Sequence, residues 1–170
     1  MNLKQRRGAK KKAETARGHF LQEALSHHQA GRLDLARTLY LQELTFDPEN
    51  ADALHFLGVL LYQQGDAHEA AKLIRKALET NPDYPEAHYN LGLALEALGK
   101  TEEAIAAYRC AIDAGSDLAQ VHGSLGLALQ KLKRLEEAIA SYDRVLALAP
   151  DDAEAHSNRG NALQELQRFE

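Results

Sequence analysis

Tryptophan is absent from this chain of 170 residues, which holds one cysteine and one methionine. A lone Cys110 makes an intrachain disulfide impossible, and this excludes a disulfide-stapled secreted fold. Aromatic residues make up only 6%, so any core must be built chiefly from Leu, Ala and Ile. No apolar run approaches the length of a membrane span, and no apolar segment follows the N-terminal charges as a secretory signal requires. The expectation is a cytoplasmic protein. Proline is scarce too, but its placement is informative: Pro48, Pro82 and Pro150 fall on one spacing, with Ser116 in the remaining slot.

That spacing is 34 residues, and it governs most of the chain. Gly58, Gly92, Gly126 and Gly160 obey it, as do Ala36, Ala70, Ala104 and Ala138. So do the bulky residues Tyr40, Ile74, Tyr108 and Tyr142. Such a period is typical of helix–turn–helix arrays, which are extended binding surfaces. Counting from Ala51 gives repeats at 17–50, 51–84, 85–118 and 119–152, with a truncated fifth at 153–170. Within a repeat, residues are designated below by place, 1 to 34.

Each repeat carries two helical faces. In the third, His88, Leu91, Gly92, Leu95 and Leu98 lie on one side of a helix, and Gly99 closes it. Thr101 is the expected N-cap of the next helix, with Glu102 and Glu103 favoured in its first turn by the helix dipole. Ala104, Ile105, Tyr108, Ala111 and Ile112 form its apolar face. In the second repeat Gly65 is the stop, and Asp66 with Glu69 is a capping-box-like start. Glycine at place 8 and alanine at place 20 mark the expected helix crossing, where only small side chains let backbones approach. Proline at place 32 ends the second helix, since it lacks an N–H and disfavours helix before it. At least eight full helices are expected from Arg17 to about Ala149, and a further one from about Ala153 to Leu166.

The pattern resembles the tetratricopeptide repeat family. The resemblance rests on Leu57-Gly58, Leu91-Gly92, Leu125-Gly126, the alanines at place 20, Tyr108, Tyr142, Ala77, Ala111 and the prolines at place 32. It covers Arg17 to Glu170 and implies an all-α fold, a right-handed superhelical solenoid of antiparallel helix pairs with about 4.5 repeats. The first repeat is degenerate, with Glu23-Ala24 for Leu-Gly and Glu43 for Ala.

Charge divides sharply. Residues 1–17 hold seven Lys/Arg against the single Glu14, while the rest is acidic, leaving the whole chain at −5. The basic tail at 1–16 has two readings, a contact to nucleic acid or acidic lipid and a solvated, disordered leader. One short tail without aromatics favours the leader, so neither nucleic acid nor membrane is an expected partner. The truncated fifth repeat shows Leu163, Leu166 and Phe169, so the chain reads as cut from a longer protein or as a truncated gene model, and its uncapped end offers a surface for self-association.

No catalytic constellation is present in the sequence. His88, His122 and His156 share one place in successive repeats, so their spacing is that of packed helix layers, roughly 9–10 Å. Zinc needs ligands at about 2 Å, so they cannot share an ion, and packing is their expected role. His27 and His28 are adjacent on a helix and do not face each other. Cys110 has no base placed beside it, and the glycines match no phosphate-loop spacing. No metal site and no cofactor are expected, and the segment is not expected to be an enzyme.

What remains is the concave groove, which the resemblance assigns to places 2, 5, 6, 9, 12 and 13 of the first helices. The resulting binding residues are Phe56, Val59, Tyr62, Tyr89, Asn90, Leu93, Ser124, Leu127, Asn158 and Asn161, with acids at place 2 on the rim. Places 5 and 9 carry no Lys or Arg, so the carboxylate clamp of chaperone-binding members is absent. Asn90 and Asn158 at place 6 are similar to the asparagine ladder of O-linked N-acetylglucosamine transferases, whose repeats hold the acceptor polypeptide. The resemblance therefore implies a protein-binding scaffold for a protein or peptide ligand. Its alternative is the acceptor-binding arm of a bacterial glycosyltransferase of that type, whose catalytic domain is not in this chain.

Overall fold

The structure, a computed structural model, describes residues 19–167. The basic tail, Arg17 and Phe169 lie outside them. The described residues form α1 (His19–Gln29), α2 (Leu33–Phe46), α3 (Ala51–Gln63), α4 (Ala67–Thr80), α5 (Pro85–Ala97), α6 (Thr101–Asp113), α7 (Ala119–Lys131), α8 (Leu135–Leu148) and α9 (Ala153–Leu166), with no strand among them. The ninth helix occupies the expected span. The chain divides into two compact units, Met1–Pro82 and Asp83–Glu170.

In the N-terminal unit α1 packs on α2, α2 on α3, and α3 on α4. In the C-terminal unit α5 packs on α6, α6 on α7, α7 on α8, and α8 on α9. Pairing is therefore sequential in each unit, as a repeat array requires.

The small-residue places act as the sequence implies. A Cβ added to Gly58 would stand 2.6 Å from Ile74 Cγ1, and one added to Gly126 would stand 2.6 Å from Tyr142 Cε1. At Gly92 the Cβ would run into the Tyr108 ring. Glycine at place 8 thus seats the bulky residue of place 24 directly on the first-helix backbone. The alanines Ala36, Ala70, Ala104 and Ala138 opposite are all fully buried. Around them pack Leu54, Leu60, Leu95, Ile105 and Leu129, each worth about 1.5–3 kcal/mol when fully buried.

Turns repeat as well. Gly31, Gly65 and Gly99 hold positive φ after the first helix of their repeats. In the fourth repeat Lys133 holds that conformation instead, at φ 61°. Asp66 caps α4 through the Glu69 N–H at 3.1 Å, as expected. Thr101, however, is the first residue of α6 rather than its cap, and it is buried. Its predecessor Lys100 occupies the cap position and has no side-chain acceptor to offer. Arg32 and Arg134 take the same position, so Asp66 alone of the four closes this turn with its side chain. Asn50 and Asp152 cap α3 and α9 through Ala53 N and Ala155 N.

The degenerate first repeat keeps its pair. Ala24 is fully buried where later repeats have glycine. Glu43 is 1% exposed, with Oε1 accepting from Asn50 Nδ2 at 3.2 Å. A local hydrogen bond thereby lets a carboxylate stand where other repeats bury alanine or valine.

Candidate functional site

The ten sequence-derived groove residues all lie on first helices, and none is buried. Phe56, Val59 and Tyr62 belong to α3 of the N-terminal unit. Phe56 stacks on Tyr40 with ring centroids 6.4 Å apart and leans on His55 at 4.9 Å. His55 itself, at place 5, is 2% exposed and belongs to the core. That corrects the expectation that it faces the groove.

The other seven residues belong to α5, α7 and α9 of the C-terminal unit. Tyr89 is half-buried; its ring lies 5.8 Å from Tyr108 and its hydroxyl accepts from Gln120 Nε2 at 2.7 Å. These contacts fix the phenol in one orientation between α5 and α7. Ser124, Leu127 and Asn158 border one cleft of about 310 Å³ formed by α7, α8 and α9. Leu127 is 46% exposed there. A second depression of about 370 Å³ adjoins it through Leu127 and Asn158 and is bordered by Gln130, Lys131, Lys133 and Glu165. Asn161 is exposed but lines neither cleft.

The floor of the first cleft escaped the sequence reading. It is made by Tyr142 and Val145, which come from the second helix. They are reached because place 5 in this repeat is Gly123; a Cβ there would sit 4.0 Å from Val145 Cγ2. A glycine where other repeats have Leu21, His55 and Tyr89 was the available signal.

Place 12 needs a different account from the one the sequence suggested. Three of its residues, His28, Glu96 and Gln130, are engaged by tyrosines of the second helix. Tyr108 donates to Glu96 Oε2 at 2.6 Å, and Tyr142 donates to Gln130 Oε1 at 3.0 Å. His28 Nδ1 meets the Tyr40 hydroxyl at 3.1 Å. Each pair spans twelve residues. In the second repeat both members change together: Tyr62 stands at place 12 where Ile74 offers no hydroxyl. Burial raises the pKa of Tyr40 to about 12. Tyr142 is likewise raised to about 12, by burial first and by the nearby Glu154 charge second.

The histidines at place 4 differ among themselves. His122 is buried and pairs with Asp117 Oδ1 at 3.1 Å, His88 is half-buried, and His156 is exposed with Nε2 against the Pro150 carbonyl at 2.9 Å. Packing thus accounts for His122 but not for His156. Asp117 also accepts from Arg144, and that hydrogen bond, before the His122 contact, holds its carboxyl below the usual range. No group of three His, Cys, Asp or Glu suited to a metal occurs among the described residues. Cys110 is exposed. No helix among the described residues is long and apolar enough to cross a membrane.

Sequence comparison decides the family. The tetratricopeptide repeat profile matches residues 21–83 and 57–119, and a TPR repeat profile matches residues 131–167. The chain belongs to the tetratricopeptide repeat family. No curated protein matches it. Among solved structures it is similar to the MamA protein, at 25% identity and TM-score 0.79, covering 85% of this chain and 79% of that one. A MamA crystal form labelled AMB-1 gives 26% identity and TM-score 0.79 over 88% of this chain and 82% of that one. YrrB, described as a TPR protein with an unusual peptide-binding site, shares the fold at 22% identity and TM-score 0.80, covering 87% and 76%.

Proposed function

We propose that this tetratricopeptide repeat chain is a non-catalytic scaffold that binds a polypeptide along the first-helix faces of its repeats. The cleft between α7, α8 and α9 carries this reading. It joins apolar surface from Leu127, Tyr142 and Val145 to the polar groups of Ser124 and Asn158. Neither the Ser124 hydroxyl nor the Asn158 amide side chain has a hydrogen bond to another described residue. An amide and a hydroxyl placed so can donate to and accept from peptide backbone. Apolar surface supplies affinity, and the polar groups fix register.

The same chemistry argues against catalysis by this segment. Its perturbed carboxylates, Asp117 and Glu137, are held low by neighbouring Arg144 and Arg134. Both are ion-pair partners on exposed surface, and neither borders the two clefts described above. A general base needs instead a reachable reacting proton and a tuned pKa.

Binding to an array of immobilised unrelated peptides tests the proposal, with labelled full-length chain as the probe. Signals that fall together on replacing Tyr89 and Asn90 with Ala support it. Signals indifferent to that change, or none at all, count against it.

A second reading rests on place 6. Asn90, Ser124 and Asn158 are all accessible in the C-terminal unit, as an acceptor-binding ladder requires. Under it the chain is the substrate-holding arm of a glycosyltransferase. A coding sequence that continues past Glu170 into a nucleotide-sugar domain supports that arm, and one that continues into another domain rejects it.

A further inference from the structure

We infer that the cleft under Gly123 is a specificity pocket for one basic side chain, arginine or lysine, of the bound polypeptide. The inference rests on the polypeptide-binding reading and adds what the ligand must contain.

The shape comes first. With no side chain at place 5, the cleft on the α7 face reaches the edges of Val145 and Tyr142, which stay 3% and 1% exposed. The resulting cleft of about 310 Å³ is far too small for a folded element but accepts a single long side chain. Its walls are apolar below and polar above. Val145 and Tyr142 form the floor, while Gln120, Ser124, Asn158, Asp152 and Glu154 form the rim. A side chain that fits this gradient has a methylene stem and a polar head, the pattern by which Lys and Arg bury their stems and keep the charge in water.

Charge then selects the sign. The cleft is lined by two carboxylates and by no Lys or Arg. Asp152 spends its carboxylate on the N-terminus of α9, where Oδ1 accepts from Ala155 N at 2.9 Å. That offsets the positive end of the helix dipole. The Glu154 carboxylate has no hydrogen bond or ion pair to another described residue, so its charge is available to a ligand. The surrounding unit strengthens the bias: residues 83–167 hold seven Lys/Arg against fourteen Asp/Glu. Six of those seven cations are already paired: Lys100, Arg109, Lys133, Arg134, Arg144 and Arg159 have carboxylate partners at their own sites. The seventh, Lys131, borders the adjoining depression, and none of the seven lines this cleft. A neutral apolar side chain would leave Glu154, Gln120 and Asn158 facing it without gain, and an acidic one would be repelled.

The test uses the full chain, isotope-labelled, and three blocked pentapeptide probes: Ala-Ala-Arg-Ala-Ala and its citrulline and norleucine counterparts. Citrulline keeps the shape of arginine without the charge, and norleucine keeps only the stem. The arginine probe is expected to shift the amide signals of Gly123, Ser124 and Glu154, binding at least tenfold more tightly than either counterpart. Gly123→Leu is expected to abolish that binding with the fold intact, since the added Cβ meets only Val145 at ordinary contact distance. Glu154→Gln should remove the preference for arginine over citrulline and leave the residual affinity. Equal binding of all three probes overturns the inference. Binding at Tyr89 and Leu93 that Gly123→Leu leaves unchanged overturns it while sustaining the polypeptide-binding reading. Failure of every peptide to bind any face overturns both. Shifts at Gly123 on replacing Lys10, Lys11 and Lys12 with Gln, without any probe, would mean that the chain's own leader is the occupant, and that also overturns the partner assigned here.

Discussion

The hydroxyl of Tyr142 donates to Gln130 Oε1 at 3.0 Å, joining the second helix of the fourth repeat to the end of its first. Tyr142 is 1% exposed, so the hydroxyl is tied to this acceptor. Replacing Gln130 with Leu should therefore destabilise the chain by about 1–3 kcal/mol, the cost of a buried donor losing its partner. Adding Tyr142→Phe should recover part of that loss, because the orphaned hydroxyl goes too. Thermal melts of the two single variants and the double give the coupling. Additive losses would show that the hydrogen bond contributes nothing. The second repeat already displays the exchange, with Tyr62 and Ile74 in these places.

Two glycines on equivalent first helices should respond oppositely to alanine. Gly92→Ala drives a Cβ into the Tyr108 ring and should cost about 1–3 kcal/mol through overpacking. Gly123→Ala places its Cβ at ordinary distance from Val145 and should stabilise α7 by up to about 1 kcal/mol, the helix preference of Ala over Gly. Denaturant titration of both variants checks the contrast. Equal effects would mean that place 8 has no special packing role.

Among the described residues, Lys133 is the non-glycine residue found at positive φ. Its place holds Gly31, Gly65 and Gly99 in the other repeats. Lys133→Gly should raise stability by about 1 kcal/mol by relieving the left-handed penalty. The lost pair with Glu165 is exposed and contributes little against that. A lower melting temperature would show that the pair outweighs the backbone.

Asp117 sets an acid limit on the C-terminal unit. Arg144, and then His122, lower its folded pKa below the ordinary 3.8. The unfolded chain therefore binds the proton more readily, so the stabilisation is fully present above that ordinary value. It is lost as pH falls through the lower folded value. The melting-temperature gap between the parent and Asp117→Asn should be constant near neutrality and close at the acid end. A gap that widens on acidification contradicts the assignment.

Much of this was legible in the sequence because repetition multiplies each weak signal. One glycine says little, but Gly58, Gly92 and Gly126 in register revealed the crossing with Ile74, Tyr108 and Tyr142. The turn glycines were legible for the same reason. Thr101 misled because a hydroxyl before two glutamates is a good cap locally, while the repeat frame puts Lys100 there and buries Thr101. The cleft floor was hidden because Tyr142 and Val145 belong to the second helix and are buried, and the cleft reaches their edges beside Gly123. The partners of place 12 were hidden because Tyr108 and Tyr142, which bond Glu96 and Gln130, stand twelve residues further on in the second helix.

The central claim is that a polypeptide lies on the first-helix faces. Amide shift mapping of the labelled full chain, titrated with a peptide selected from the array, tests it most directly. The account predicts shifts on α5, α7 and α9 around Tyr89, Leu93, Ser124 and Asn158, with Arg109 and Ala140 on the second helices unmoved. The Tyr89→Ala, Asn90→Ala double variant should bind at least roughly 1 kcal/mol more weakly with an unchanged circular dichroism spectrum. Shifts confined to α6 and α8, or a double variant that binds as the parent does, would contradict it.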